Sequence, residues 1–208
     1  MHLLWFGGIG TYVKSSTESN LEVGDRSNDA LRIDAKQLGA DVVGEGANLG
    51  ITQLGRVEFA MAGGKINTDF IDNSAGVDCS DHEVNIKILL DAAVSVGKLS
   101  IKARNRLLKR MSDEVTNLVL MDNYRQSMAL TNAEVQSVRK SPEHKRLIRT
   151  LIKTGFLNRK AESLPQDAEM DHRHSAGKGL CRPELAVLLT YSKNALFKEI
   201  LGSNLPED

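Results

Sequence analysis

Apolar positions fall into two textures along the chain. Over the first 79 residues they come in short runs, at 3–6, 41–44 and 65–71, each leading straight into a loop of glycine, asparagine or other small residues. Short apolar runs bounded by turn residues predict buried parallel strands. Between the second and third runs, Thr52 can cap a helix that turns Leu54, Val57, Phe59, Ala60 and Met61 inward before Gly63 and Gly64 end it. Residues 28–38 read as a further short helix stopped by Gly39, and 15–29 as a polar surface loop.

After the third run the spacing becomes helical. Ser80-x-x-Glu83 has the form of a capping box ahead of a helix over 81–96, closed by Gly97. Ser100 and Ser112 start helices over 101–111 and 113–128, and Thr131-x-x-Glu134 forms a second capping box. Ser141-Pro142 opens a helix over 143–153, with Gly155 after it. Residues 156–178 show no periodicity and read as a linker. Arg182-Pro183-Glu184 opens a last helix, stopped by Gly202, that is apolar on more than one face and so needs a packing partner. The expected fold is α/β, an incomplete Rossmann-like parallel sheet (1–79) followed by a mostly α-helical region (80–208).

Composition narrows the functional classes. Lys plus Arg and Asp plus Glu both number 27, and aromatic residues make up only 4% of the 208 residues. Zero net charge and few stacking rings argue against nucleic acid or an anionic membrane as partner. The two cysteines, Cys79 and Cys181, form no C-x-x-C, and no apolar run reaches membrane-spanning length. A cytoplasmic setting is expected. A buried strand at 3–6 would need neighbours on both sides, which leads us to expect further sequence upstream.

Ligands of open parallel sheets sit beyond the carboxyl ends of the strands, so the chemistry is expected in three loops. The first carries Gly8 and Gly10, the second Gly46, Ala47 and Asn48, and the third Asn73 and Gly76. Gly8-x-Gly10 lacks the third glycine of a dinucleotide fingerprint, because Val13 stands there. An asparagine can donate and accept at once, which suits a carboxamide or a ribose hydroxyl, yet asparagine also favours turns for its own reasons. Asp171-His172-Arg173-His174, Cys181, and the pair Cys79 and His82 do not have metal-ligand spacing, so no metal is expected. The basic residues between Arg139 and Lys160 read as a solvated helix face, in preference to a nucleic-acid site, or as one that meets an acidic surface on a missing domain.

Four blocks carry a wider likeness: L-L-W-F-G-G-I-G-T-Y-V from Leu3, V-V-G-E-G-A-N-L-G-I-T-Q-L-G-R-V-E from Val42, N-T-D-F-I-D-N-S-A-G-V-D-C-S-D-H-E-V-N-I-K from Asn67, and G-L-C-R-P-E-L-A-V-L-L from Gly179. On these the chain resembles the large NAD-specific bacterial glutamate dehydrogenases. The resemblance implies NAD as cofactor, glutamate and 2-oxoglutarate as substrate and product, and a homo-oligomer. It places Asn48 at the nicotinamide ribose, Asn73 near the carboxamide and substrate, and Ser80 at the side-chain carboxylate of glutamate. Ser74 and Ala75 depart from the alanine and glycine of smaller members. The family's catalytic lysine and aspartate would lie upstream of Met1, so the resemblance assigns no catalytic residue here, and the 208 residues alone are expected to be inactive. The rival expectation is a non-enzymatic helical interaction module on a small α/β scaffold.

Overall fold

The structure, a computed structural model, describes residues 1–205; the last three residues of the expected helical region lie outside the described residues. Strand β1 (Leu3–Phe6) is followed by the two-residue strand β2 (Val13–Lys14), a short helix α1 (Asn20–Val23), β3 (Ile33–Asp34) and β4 (Val42–Glu45). Helix α2 (Gln53–Met61) leads to β5 (Lys65–Ile66), the single turn α3 (Asp69–Asp72), and then α4 (Ser74–Ser95) and α5 (Ile101–Val135). Helices α6 (Ser141–Lys153), α7 (Asp167–Ser175) and α8 (Arg182–Leu201) complete the described chain.

The main sheet is parallel throughout, in the order β1-β4-β5, with Phe6 beside Glu45 and Val43 beside Ile66. All three strands therefore deliver their loops to one edge. A second parallel pair, β2 with β3, lies alongside, and Val13 bridges to Ile51. Val13, Ala35, Val43, Ile51, Phe59 and Ile66 form the core of this part. A separate core gathers Ile71, Leu130, Ile148, Leu151 and Leu157 with the amino-terminal half of α8. Gln53 of α2 donates to the Pro183 carbonyl at 3.3 Å, so the two parts touch.

Several expected elements form differently, each for a local reason. No helix spans 28–38: the buried Arg32 reaches back to Thr11 O at 2.8 Å and to the Asp25 carbonyl, which pulls the segment into turns and the strand β3. The third strand stops at Ile66 because Asn67 and the acidic α3 turn the chain away. Leu54 is more than one-third exposed, whereas Gly55 and Arg56 lie on the buried side of α2. Residues 101–135 are one continuous helix, without the breaks expected at Ser112 and Thr131. Both hydroxyls donate to the carbonyl four residues back, Leu108 O and Ser127 O, and so satisfy themselves inside the helix. The stretch read as a linker contains α7. Of its side chains only Met170 is buried, which leaves no apolar stripe to read.

Other expectations are met. Thr52 accepts from Gly55 N at 3.0 Å and Ser100 from Ala103 N at 3.2 Å, both as N-caps. Helix α8 begins at Arg182-Pro183; its first half is buried, while Leu196, Phe197 and Leu201 in its second half are exposed. The basic region departs from expectation, because some of its residues meet acids of this same chain on α7: Lys145 pairs with Asp171, and Arg149 and Arg159 with Asp167. No helix among the described residues is long and apolar enough to cross a membrane.

Candidate functional site at the carboxyl edge of the sheet

The β4 loop is built around charge that the strand carries inward. Glu45 is wholly buried, and Arg56, one turn into α2, binds it through Nε to Oε2 at 2.6 Å and Nη2 to Oε1 at 3.0 Å. Arg56 also lies 3.2 Å from Asp69 Oδ1. Burial pushes the Glu45 carboxyl up, and the two bonds from Arg56 oppose that rise. Three amides of the loop end on carboxylates. Glu45 N donates to Asp72 Oδ2 at 2.9 Å, Leu49 N to Asp69 Oδ2 at 2.9 Å, and Ile51 N to Glu45 Oε1 at 3.1 Å.

Asn48 sits at the exposed crest of this loop. Asn73, between α3 and α4, donates through Nδ2 to Asn48 Oδ1 at 3.0 Å. Two amide side chains from loops 25 residues apart therefore meet where the sheet ends. The second Asn73 amide hydrogen, Asn73 Oδ1 and Asn48 Nδ2 have no hydrogen-bond partner among the described residues, which leaves donors and an acceptor for a carboxamide or hydroxyl. A cleft of about 730 Å³ opens beside the pair toward α5 and α8, with Phe70, Val77 and Leu189 as apolar wall and Arg125 and Lys193 as cations. That size falls within the usual range of ligand clefts, about 300–1,000 Å³.

Gly46 and Ala47 lie in the same loop, and Ala47 N is tied to Phe6 O at 3.1 Å, so the loops after β1 and β4 start together. Gly8 is exposed in the first of them. Gly10 has a φ of 139°, and a Cβ there would come within 2.8 Å of Asn28 and Tyr12, so the turn requires glycine. Thr11 N, next in the chain, donates to Asp25 Oδ2 at 2.9 Å.

Gly76 and Ser80 are not in a loop. Helix α4 begins at Ser74, so both lie within its first two turns, and Ser80 Oγ donates to Gly76 O at 3.1 Å. The expected Ser80 capping box does not form, because the helix has already started two turns earlier. His82, further along α4, lies 3.7 Å from Asp78 and 3.8 Å from Asp122 of α5, a histidine between two carboxylates.

The Glu45, Arg56, Asp69 and Asp72 network was not found from sequence. Its signal was a charged residue at an inward position in each element: Glu45 within an apolar strand, and Arg56 between Gly55 and Val57.

A small parallel sheet that brings glycine- and asparagine-bearing loops to one edge beside a cleft, followed by helices, makes this a mixed α/β protein. Comparison with known proteins places it more narrowly. Residues 1–133 match the family model described as bacterial NAD-glutamate dehydrogenase, catalytic domain, and residues 177–208 match glutamate dehydrogenase, C-terminal. The chain is 55% identical over 206 residues to the NAD-specific glutamate dehydrogenase of Pseudomonas aeruginosa and 53% identical over 206 residues to that of Halomonas elongata. It is 50% identical over 205 residues to that of Mycobacterium tuberculosis. Each match takes in 99% of this chain and 13% of the relative's length. The chain belongs to the bacterial NAD-glutamate dehydrogenase family.

Proposed function

We propose that this chain forms the nicotinamide-facing part of an NAD-dependent glutamate dehydrogenase, an enzyme that deaminates glutamate oxidatively to 2-oxoglutarate and ammonia. The observation that carries the reading is the Asn48–Asn73 pair at the carboxyl edge of a parallel sheet, with amide donors and an acceptor turned outward. Bound NAD supplies the hydride-accepting chemistry; the chain's own residues bind and orient. In this reading the sheet is part of a Rossmann-like domain, and residues 80–208 extend it with helices. The Asn48 amide meets a ribose hydroxyl and Asn73 holds the carboxamide, while Gly8, Gly10, Gly46, Ala47 and Gly76 let backbone come close. Ser80 meets the side-chain carboxylate of glutamate, turning its proton from Gly76 O to the substrate.

The general acid and base belong to the remainder of the parent protein, as does a homo-oligomeric, cytoplasmic assembly. Holding two reactants in register is the contribution expected of such a surface, since orientation alone removes a large part of the barrier. The test is kinetic and uses the full-length protein. Asn48→Ala and Asn73→Ala should each lower kcat/KM for NAD roughly 3- to 10-fold, the worth of one neutral hydrogen bond, with thermal unfolding unchanged. Unaltered NAD kinetics in both variants would instead favour the helical interaction module.

A further inference from the structure

The backbone beside Asn48 is strained. Leu49 has a φ of 61°, in the left-handed region that a leucine rarely enters. Its side chain is 61% exposed, so apolar packing does not hold it there. Among the described residues its own hydrogen bond to another element is Leu49 N to Asp69 Oδ2 at 2.9 Å, while the next carbonyl, Gly50 O, accepts from Tyr12 N at 2.9 Å and Val13 N at 3.2 Å. Asp69 is itself buried. Its other oxygen accepts from Phe70 N at 2.9 Å and faces Arg56 at 3.2 Å, whose charge is shared with Glu45.

We infer that Asp69 is a positioning residue for the cofactor site, clamping Leu49 in the left-handed conformation and so presenting Asn48 to Asn73. The inference rests on the reading of Asn48 as a cofactor contact. A left-handed leucine is disfavoured enough that, without the clamp, the loop relaxes to a state in which Asn48 no longer meets Asn73. Glycine in place of Leu49 visits the same φ without strain and does not need the clamp.

The test follows from that difference, in the full-length enzyme. Asp69→Ala should lower kcat/KM for NAD roughly 5- to 30-fold, the population shift expected when left-handed strain is released. Most of the change should fall in KM for NAD rather than in kcat. Adding Leu49→Gly should restore the value to within about 3-fold of wild type, and recovery of KM for NAD marks positioning, because a loss of fold stability alone lowers the amount of active enzyme and leaves KM unchanged. Asp69→Asn, which keeps an acceptor oxygen and the side-chain volume, should show a smaller loss with the same rescue, and serves if the alanine variant fails to fold. The inference is overturned if Leu49→Gly rescues neither variant, or if both Asp69 variants keep wild-type NAD kinetics. Should Asn48→Ala impair NAD use while the Asp69 variants do not, only the clamp is lost. Should Asn48→Ala itself be silent, the clamp and the reading of Asn48 as a cofactor contact fall together.

Discussion

Arg56→Met leaves two buried carboxylates facing one another across the space the guanidinium filled. The Glu45 side chain is 0% exposed, Asp69 11% and Arg56 4%, so solvent cannot take the place of the lost charge. Breaking a buried ion pair from one side costs about 3–5 kcal/mol. That corresponds to a roughly 100- to several-thousand-fold loss of protection for the amides anchored on the network, Glu45, Leu49 and Ile51. The cost should depend on pH, with a sign fixed by Glu45. Burial already pushes its carboxyl up and Arg56 opposes this, so removing Arg56 raises it further. An acid whose folded pKa is raised keeps its full contribution below the unfolded value and loses it as pH rises through the folded one. The variant should therefore be closer to wild type at pH 5 than at pH 8. Hydrogen exchange read by mass spectrometry on the full-length protein, corrected for intrinsic rates, measures both effects. The double variant Glu45→Leu/Arg56→Met should lose less than Arg56→Met alone, because no unpaired charge remains at Glu45. Protection within tenfold of wild type at pH 8, or a loss that does not change between pH 5 and 8, would refute the account of this network.

Two further outcomes are expected. The Asp25 carboxyl is held down at about 2, first by Thr11 N and then by Ser27 and Asn28, so its support for the Gly10 turn is present above the ordinary carboxylate range and is lost as pH falls toward 2; Asp25→Asn should weaken exchange protection of the Thr11 amide at pH 6 and match wild type near pH 2. The indole of Trp5, the sole tryptophan of these 208 residues, lies across Gly44 and Gly46, and a Cβ at Gly46 would come within 2.5 Å of it; because Trp5 is more than half exposed, Gly46→Ala should swing the ring outward and shift its fluorescence at a cost of about 1 kcal/mol or less, and that cost should vanish in a Trp5→Ala background.

What the sequence made legible was periodicity. Strand β4 was readable because Val42 and Val43 sit between turn residues, and α2 because Thr52 caps an apolar run. The serine and threonine signatures misled at Ser80, Ser112 and Thr131 for one shared reason. A serine or threonine, with glutamate three residues on as at Ser80 and Thr131 or without it as at Ser112, marks a helix start only where no helix is already running, and within a helix the same hydroxyl bonds the carbonyl four residues back, as all three do. Helix α7 escaped notice because Met170 is its one buried side chain and its acids face the bases of α6, Asp171 with Lys145 and Asp167 with Arg149. The Asn48 and Asn73 loops were found, but what holds them was not: hydropathy reads Glu45, Arg56 and Asp69 as surface residues, and their burial depends on pairing between segments that only the fold brings together.

Two of the loops at the sheet edge are built on the same plan. After β1, Gly10 takes a left-handed φ and the carboxylate of Asp25 catches the next amide; after β4, Leu49 takes a left-handed φ and the carboxylate of Asp69 catches its own amide. In each case a charged acceptor from a later segment of the chain fixes the turn, a stronger bond than a neutral one. The amide side chains at the crest are thereby relieved of structural duty. Asn48 makes one hydrogen bond among the described residues, to Asn73, and lies exposed. Residues that hold a loop and residues that face a ligand are then separable by experiment. Substitutions at Asp25, Asp69 or Arg56 should alter exchange protection and binding together, whereas those at Asn48 or Asn73 should alter binding alone. If Asn48→Ala destabilised the fold as much as Asp69→Ala, that separation would be wrong, and the asparagine pair would be a structural clasp rather than a ligand contact.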